Sequence, residues 1–402
     1  AGNVFDHNGT MTIATSTSSG MPGTVILESN STLKGNGTYK VEQDWINNAT
    51  FTADNSTVEL NGNLQQYITS TNNTVTTFNN LILTGTGTGS NRKKTLQLVD
   101  ARIGINGTLI INDRELETLI NTMFVLNPSP LCITNNITPG SEGFVSSSFN
   151  GGGSGYLSRV TNSASQYTFP TGSSVGTTRY RPVIITPAST NNNTYTARLG
   201  NNDATPDGFS IAFLDTNMCT LNTTFYHEIT RSSGNDNADI EIFYDQIADG
   251  GWDGIAKWNS SIPNLWNSMG IVTATTGIPF NSLEKAGWTD FSNSPYILSR
   301  QRPGPPVINC PSSACANSPA NIFSATGNGP IYAWSVPADA TITSGQGTDT
   351  AMVTWGSSSG QVSVTVSSAL GCISSTASCQ VRACGRPPIM LAWRAPARAK
   401  PA

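Results

Sequence analysis

The chain has 402 residues, a length that fits roughly two to four domains of ~150 residues each. Only 11% of the residues are charged and the net charge is −4 at pH 7, a balance that argues against nucleic acid as a partner because phosphate binding needs a basic surface. No apolar run approaches the ~20 residues that span a bilayer. Short runs rich in Val, Ile, Thr and aromatic residues, separated by Gly, Asn, Ser and Pro, predict an all-β protein.

Residues 1–131 contain one β-type run after another. Units that begin with Asn-Gly-Thr or Asn-Ser-Thr recur at irregular spacings of roughly 20–25 residues, which predicts a β-solenoid or stacked-sheet region whose rungs bury their apolar faces on one another. An ordinary β-sandwich of the same size is the alternative. The units open at Asn8, Asn30, Asn36, Asn55 and Asn106, and the apolar runs are residues 24–27, 56–60, 78–83, 95–99 and 107–111.

Two of these runs also carry a family resemblance. Residues 77–83 (TFNNLIL) and 107–111 (GTLII) resemble the rungs of repetitive surface proteins from Bacteroidetes-type bacteria. The next segment, residues 113–120 (DRELETLI), fits either a helix or a charged turn followed by a strand, because its apolar residues match both periods.

Residues 132–302 form the second predicted unit. Residues 226–230 (YHEIT) and 239–244 (DIEIFY) alternate between polar and apolar side chains, as half-buried antiparallel strands do. We therefore expect a β-sandwich of roughly seven to nine strands.

Residues 301–306 (QRPGPP) form a linker, because proline has no backbone N–H for a β-ladder and favours an extended spacer. Beyond the linker, residues 332–337 (YAWSVP), 344–348 (SGQGT) and 353–355 (VTW) predict two strands joined by a Gly-rich turn. Residues 303–381 resemble the PKD-like, immunoglobulin-type modules of large secreted proteins from Bacteroidetes-type bacteria.

This resemblance implies a C-terminal PKD/Ig-like sandwich that spaces or adheres and does not catalyse. The layout of residues 132–302 resembles the sandwich that often precedes such modules. The resemblance also implies export by the type 9 route, although no sorting domain is recognisable here.

Residues 382–402 differ in composition from the rest of the chain. They contain five basic residues and no acidic one, with repeated Ala, Arg and Pro, so we treat them as an atypical tail outside the fold. The alternative is that residues 388–393 (PIMLAW) add as a strand to a neighbouring subunit.

Seven cysteines and only two histidines, without zinc-finger spacing, favour disulfides over a metal site. Six cysteines allow fifteen pairings, so the connectivity stays open. The pairs that we predict are Cys132–Cys219 in the middle unit, Cys315–Cys372 across the PKD-like sandwich and Cys310–Cys379 between its two ends, with Cys384 left over.

A possible metal site comes from Asp245, Asp249 and Asp253, which recur every four residues on a Gly-containing stretch. Carboxylates in such a loop suit Ca²⁺, which prefers six to eight oxygen ligands. The spacing does not match an EF-hand, and an Asp-Gly turn between strands is the favoured alternative. Apart from this possible structural calcium we expect no cofactor.

Trp252 and Trp258 are candidates for stacking on sugar rings if they are exposed. Tryptophan in a sandwich more often lies in the core, where it buries a large area, and the core interpretation is favoured.

Catalysis finds little support in the sequence. His227 and Glu228 are adjacent in a predicted strand, so their side chains point to opposite faces. The chain has no Gly-x-Ser-x-Gly or HExxH motif, and we expect that it is not an enzyme.

Two hypotheses about function follow. The favoured one is an extracellular or cell-surface structural protein, part of a fibre, filament or adhesin, whose partners are copies of itself, other surface proteins or glycans. The alternative is a secreted carbohydrate-binding or polysaccharide-active protein with accessory modules.

Overall fold

The structure is a computed structural model of the chain. It describes residues 3–14, 23–70, 75–98, 102–147, 155–261, 264–277, 279–292, 295–318 and 321–384. No helix within these ranges is both long enough and apolar enough to cross a membrane.

The N-terminal region is a parallel β-solenoid of three-stranded rungs. Its second strands form one sheet, β2-β5-β8-β11-β14-β17, and its third strands form another, β3-β6-β9-β12-β15-β18. The first strands form β1-β4-β7 and, further along, β10-β13-β16. The strands are β1 (Asn3–Asp6), β2 (Thr10–Ile13), β3 (Val25–Leu27), β4 (Ser31–Lys34), β5 (Thr38–Val41), β6 (Trp45–Asn47), β7 (Thr50–Thr52), β8 (Thr57–Leu60), β9 (Gln66–Ser70), β10 (Thr76–Phe78), β11 (Asn80–Leu83), β12 (Lys93–Leu98), β13 (Ile103–Ile105), β14 (Leu109–Asn112), β15 (Glu115–Glu117), β16 (Thr122–Val125), β17 (Ile133–Asn135) and β18 (Phe144–Ser146).

In-register stacking explains why this sequence forms a solenoid. Tyr39 lies opposite Val58, Val58 opposite Leu81 and Leu81 opposite Leu109, and all four side chains are buried. Strand side chains alternate between faces, so each rung contributes its apolar set to one continuous core. The all-β prediction is confirmed, and the solenoid replaces the alternative of an ordinary sandwich.

The recurring asparagines mark corners of the rungs. Asn8, Asn36, Asn55 and Asn106 each lie between the first and second strands of a rung, whereas Asn30 immediately precedes β4. Asn30 has a φ of 68°, a left-handed conformation that asparagine adopts more readily than most residues. The residues that were ambiguous between helix and strand contain β15.

The solenoid continues directly into the sandwich. β19 (Tyr156–Thr161) pairs in parallel with β16 on one side and antiparallel with β24 (Asn193–Gly200) on the other. The predicted boundary at residue 131 thus falls between β16 and β17, inside the sixth described rung, and Ala1–Arg300 form one compact unit.

The sandwich consists mainly of two antiparallel sheets. One runs β19-β24-β26-β32-β28-β29, with β25 beside β32, and the other runs β20-β23-β27-β31-β30. The remaining elements of this region are β20 (Tyr167–Phe169), β21 (Gly172–Ser173), β22 (Arg179–Tyr180), β23 (Val183–Pro187), β25 (Met218–Leu221), β26 (Tyr226–Ser233), β27 (Ala238–Tyr244), α1 (Gln246–Asp249), β28 (Gly254–Asn259), β29 (Leu265–Ser268), β30 (Thr273–Thr275), β31 (Asn281–Trp288) and β32 (Pro295–Gln301), and short 3-10 turns lie at Gly89–Arg92 and Thr205–Asp207.

The second compact unit begins at Gln301. It contains two four-stranded sheets, β33-β35-β38-β37 and β34-β40-β39-β36, around a core that includes Trp334 and Trp355. Its strands are β33 (Val307–Asn309), β34 (Ser313–Ala314), β35 (Asn321–Thr326), β36 (Ile331–Ser335), β37 (Thr341–Ser344), β38 (Thr350–Thr354), β39 (Gly360–Ser367) and β40 (Ala377–Ala383).

Disulfides in this unit correct part of the predicted connectivity. Cys310 and Cys379 are bonded, as predicted. Cys315 bonds to Cys384 and not to Cys372. The reason is that β34 pairs in parallel with the end of β40, so that Cys315 and Cys384, which follow the two strands, have their Cα atoms 4.6 Å apart. β40 and Cys384 therefore belong to the module, which extends past the predicted start of the tail at residue 382. Residues 385–402, including the candidate strand at 388–393, lie outside the described residues.

The predicted Cys132–Cys219 bridge is wrong, because Cys132 is a buried free thiol in the solenoid. Its Sγ lies 3.4 Å from the Asn127 carbonyl oxygen and 3.4 Å from Nη2 of Arg159. Burial raises the pKa of this thiol, and the neighbouring Arg159 guanidinium opposes that rise.

Candidate binding groove

The three aspartates proposed for calcium do not form a metal site. Oδ1 of Asp245 accepts the backbone N–H groups of Ile247 at 2.9 Å and Ala248 at 3.2 Å, and so caps α1. The buried carboxylate of Asp249 pairs with two arginines, Arg179 and Arg181. Asp253 is tied through its backbone N–H to the Ser299 carbonyl at 3.2 Å. Among the residues that the structure describes, no cluster of His, Cys, Asp and Glu has the composition of a metal site.

The two tryptophans proposed for sugar stacking are both engaged in packing. Trp258 is only 4% exposed and packs edge-to-face against Trp266, with ring centroids 5.3 Å apart. Trp252 is partly buried and donates from Nε1 to the Asp249 carbonyl at 3.0 Å, while the Arg300 guanidinium lies over its ring. Neither ring offers an open face for stacking on a sugar. Trp258 lies in the core, which is the favoured interpretation from the sequence.

His227 is held inside the sandwich. Its side chain is buried, and Nε2 lies 2.9 Å from the Arg181 carbonyl oxygen. Burial lowers its pKa to about 4, so the ring stays neutral near pH 7. Glu228 is buried separately, where it accepts from the Tyr156 hydroxyl at 2.6 Å and pairs with Arg198. These contacts hold two sheet residues in place and do not make them a catalytic pair.

A different site lies at the end of β28 and β29. These strands pair antiparallel, with Lys257 opposite Asn267, and form one side of a groove. The loop that follows β31 forms its other side. Together they form a groove of about 350 Å³, which we call the polar groove. That volume is near the lower end of the ~300–1,000 Å³ range of small-molecule sites. Its lining residues are Lys257, Trp258, Asn259, Ser260, Ser261, Asn267, Ser268, Trp288, Asp290 and Ser292.

A lysine–aspartate pair forms the charged part of the polar groove. Nζ of Lys257 donates to Oδ2 of Asp290 at 2.9 Å and to the Ser292 hydroxyl at 2.8 Å. The Lys257 side chain is 8% exposed, whereas that of Asp290 is 56% exposed. Burial raises the pKa of the Asp290 carboxyl, but hydrogen bonds from Ser292 and Lys257 outweigh burial and hold this pKa below its usual value. The carboxylate is therefore ionised at neutral pH and partly open to solvent.

An oriented indole lies beside that pair. Nε1 of Trp288 donates to the Asp290 carbonyl at 2.7 Å and lies 3.2 Å from the Tyr296 hydroxyl, which itself donates to the same carbonyl at 2.8 Å. These contacts fix the loop at Asp290 against the indole. A ligand in the polar groove would meet ionic, amide, hydroxyl and aromatic groups within one concave surface.

Sequence reasoning missed this groove. Trp288 was not connected with Lys257 or Asp290, because the register between β28 and β32 is invisible in the sequence. That register places Lys257 opposite Tyr296, whose hydroxyl donates to the Asp290 carbonyl. The Asp290-Phe-Ser292 turn, in which Oδ1 of Asp290 accepts the Ser292 N–H at 3.0 Å, was the one local signal available.

Comparison with known protein families matches residues 301–381 to the PKD-like domain. No curated protein and no solved structure matches the chain. The match spans almost all of the described residues of the unit that begins at Gln301, with its two four-stranded sheets and buried Trp334 and Trp355. This chain therefore carries a C-terminal PKD-like domain.

Proposed function

We propose that this chain is an extracellular or cell-surface adhesion protein without catalytic activity. The observation that carries the proposal is the hydrogen-bonded sheet that runs from β10 of the solenoid through β19 into the sandwich strands up to β29. It makes the solenoid a firm support for the polar groove at the far edge of the same sheet. A binding site that is supported by the strands of a rigid scaffold keeps its geometry, which suits a protein that adheres through that site.

Two further features support an extracellular setting. PKD-like domains fit extracellular or surface modules, and the chain carries one at residues 301–381. The Cys310–Cys379 and Cys315–Cys384 bonds belong to a class of cross-link that persists in oxidising compartments and is rare in the cytosol.

The polar groove supports binding in preference to hydrolysis. Its lining contains one carboxylate, Asp290, and that carboxylate is paired with Lys257. Hydrolysis of a glycosidic bond by the usual route needs two carboxyl groups that flank the bond.

An adhesion assay with the whole chain tests this proposal. Beads coated with the folded chain should be retained on at least one surface from a panel of immobilised neutral polysaccharides, acidic polysaccharides, mucin-type glycoprotein and the chain itself. Beads coated with heat-unfolded chain serve as the control. Equal retention of both bead types, or release of reducing ends from any polysaccharide, would contradict a non-catalytic adhesive role.

A second candidate function is that of a filament subunit, and the first described rung favours it. Phe5 lies in register with Leu33 and Phe51, which are 7% and 8% exposed, yet Phe5 itself is 51% exposed. Within the described residues no rung covers it, and the edges of β1, β2 and β3 offer backbone groups for strand pairing.

Negative-stain electron microscopy of the full chain separates this candidate from the first. Regular fibres that shorten or disappear in Phe5→Asp but persist in the exposed control Thr12→Ala would support filament formation through the first rung. Monodisperse particles for all three proteins would leave adhesion as the function of the single chain.

A further inference from the structure

We propose that the polar groove is a binding site for an uncharged saccharide. The proposal rests on the adhesive function proposed above and names the class of ligand that the groove would hold. Its argument comes from the shape, charge and pre-arranged contacts of the groove.

Shape restricts the ligand to a small unit or to the end of a chain. The volume of about 350 Å³ suits a short saccharide, and the groove is bounded by strands on one side and by the Asp290 loop on the other. Sites for small molecules are usually concave, with a few placed polar groups that fix orientation.

Charge balance favours an uncharged ligand. Among the lining residues the ammonium of Lys257 and the carboxylate of Asp290 cancel, and the other polar groups are amides and hydroxyls. An anionic ligand would need a cationic excess to bind strongly, and a calcium ion would need several oxygens in addition to a carboxylate that already accepts from Lys257.

The polar groups have the mixed character that sugar hydroxyls require. A hydroxyl both donates and accepts, so it is matched by a carboxylate acceptor beside amide and ammonium donors. Asp290 supplies the acceptor, and Asn259 and Asn267 supply amides from the paired ends of β28 and β29. Because Asp290 is already held by Ser292 and Lys257, little side-chain entropy is lost when a ligand binds.

Trp288 adds an apolar wall. Its Nε1 is anchored to the Asp290 carbonyl, so the indole position is fixed before a ligand arrives. The C–H face of a pyranose is apolar and packs on such a ring, whereas its hydroxyls point toward the polar side. Trp258 contributes little to this wall, since it is only 4% exposed.

The first experiment is a saccharide array probed with the full chain, followed by calorimetric titration of cellobiose, maltose, lactose and mannobiose and of digalacturonic acid as the acidic counterpart. We expect saturable binding of at least one neutral disaccharide and weaker binding of the acidic one. Calcium chloride and inorganic phosphate, titrated alone, should give no binding at this site.

Variants then locate the site. Trp288→Ala and Asp290→Asn should each weaken binding of the best neutral disaccharide at least tenfold, because each removes an interaction made in a partly desolvated groove. Trp252→Ala, which changes a tryptophan outside the groove, should change the affinity less than twofold. Circular dichroism confirms that each variant is folded, and Asp290→Asn, which preserves side-chain shape, guards against a folding defect in Trp288→Ala.

Three outcomes overturn the saccharide site: no neutral saccharide binds, the acidic sugar binds most tightly, or the groove variants bind as well as the parent chain. The bead assay separates this failure from failure of the proposed function. If beads coated with the Trp288→Ala and Asp290→Asn variants are retained as well as beads coated with the parent chain, the chain is adhesive but the polar groove is not its adhesive site.

Discussion

The Lys94 side chain lies fully buried inside the solenoid. Its register partner in the adjoining rung is Gln66, and Nζ of Lys94 donates to the Gln66 side chain and, at 2.9 Å, to the Gly62 carbonyl. Burial and, to a smaller extent, the charge of Arg114 lower the pKa of Lys94 to about 7, against the opposing effect of Asp113. The group therefore titrates near neutral pH in the folded chain but near pH ~10.4 in the unfolded chain.

This difference predicts a pH dependence of stability. Between pH 7 and pH 9.5 the unfolded chain binds more protons at Lys94 than the folded chain does, so the free energy of unfolding of the first unit should rise with pH, by at most about 1.4 kcal/mol per pH unit. Lys94→Met should remove this rise. Urea unfolding of both proteins at several pH values measures it, and parallel pH profiles for the parent and the variant would rule out the coupling. The range stops below pH 10, where ionisation of tyrosines in the unfolded chain begins to favour unfolding.

Tryptophans show what residue type alone can predict. Composition correctly favoured a core role for Trp258, because large aromatics stabilise a sandwich by burial. It did not distinguish Trp288, which lines the polar groove, from Trp252, which packs beside Asp249. That distinction depends on the neighbours of each ring, since Trp288 ends β31 beside Asp290 whereas Trp252 lies between α1 and β28 beside Asp249, and no local pattern encodes those neighbours.

At the scale of elements, the solenoid corners contain an asparagine ladder. Oδ1 of Asn8 accepts the backbone N–H of Asn36 at 3.1 Å, and Oδ1 of Asn36 accepts that of Asn55 at 3.2 Å. Nδ2 of Asn36 also donates to Oδ1 of Asn8, and Nδ2 of Asn55 donates to Oδ1 of Asn36, each at 3.3 Å. The repeat in the sequence identified these residues, because stacking of identical corners needs the same polar side chain in successive rungs.

Removing the middle of the ladder should destabilise the solenoid more than removing its end. Asn36→Ala loses contacts to the rungs on both sides, whereas Asn8→Ala loses its contacts to one neighbouring rung, at Asn36, and a local hydrogen bond from Nδ2 to Oδ1 of Asp6 at 3.1 Å. We expect a loss of about 1–2 kcal/mol for Asn36→Ala and a smaller loss for Asn8→Ala, since each exposed hydrogen bond contributes about 0.5–1.5 kcal/mol net and the bond to Asp6 does not connect two rungs. Chemical denaturation measures both, with Thr12→Ala as an exposed control. Equal losses for the two asparagine variants would show that the ladder does not act as a unit.

The disulfides of the PKD-like domain were half predictable. The Cys310–Cys379 pair was expected, whereas the Cys315–Cys384 pair depends on the parallel pairing of β34 with β40, which joins segments far apart in the sequence. The prediction paired Cys315 with Cys372 and left Cys384 over, because the sequence alone does not reveal which strands lie side by side.

Removal of one disulfide should cost the domain less stability than removal of the second disulfide after it. Each closes a separation of 69 residues, which corresponds to about 4 kcal/mol of loop entropy for the first bond. With one bond in place, the second closes a loop of only about ten residues, because the cysteines are five positions apart at both ends, and should add about 3 kcal/mol. Replacing Cys310 and Cys379 by serine should thus lower domain stability less than replacing all four cysteines. Thermal unfolding followed at Trp355 tests this, and a full loss on removal of either pair alone would contradict it.

At the scale of the whole molecule, the boundary predicted at residue 131 lies between β16 and β17, inside the sixth described rung. The parallel stacking continues past that boundary to β19, and one contiguous core extends from Leu27 to Leu298. Register and core continuity are properties of pairs of distant strands, so composition along the chain does not report them.

A single core predicts that the solenoid and the sandwich unfold together. Leu60→Ala creates a cavity at a fully buried site in the solenoid and should cost about 3 kcal/mol. Hydrogen exchange should then accelerate in the slowest amides of β23 and β27 in the sandwich, as well as in β8, because these amides exchange through opening of the shared unit. The amides of β39 belong to a separate core cluster and should keep their protection, whereas Val364→Ala in that cluster should show the reverse pattern. Protection in β23 and β27 that is unchanged by Leu60→Ala would mean that the sandwich is stable without the solenoid, and the predicted boundary at residue 131 would then mark a real thermodynamic division.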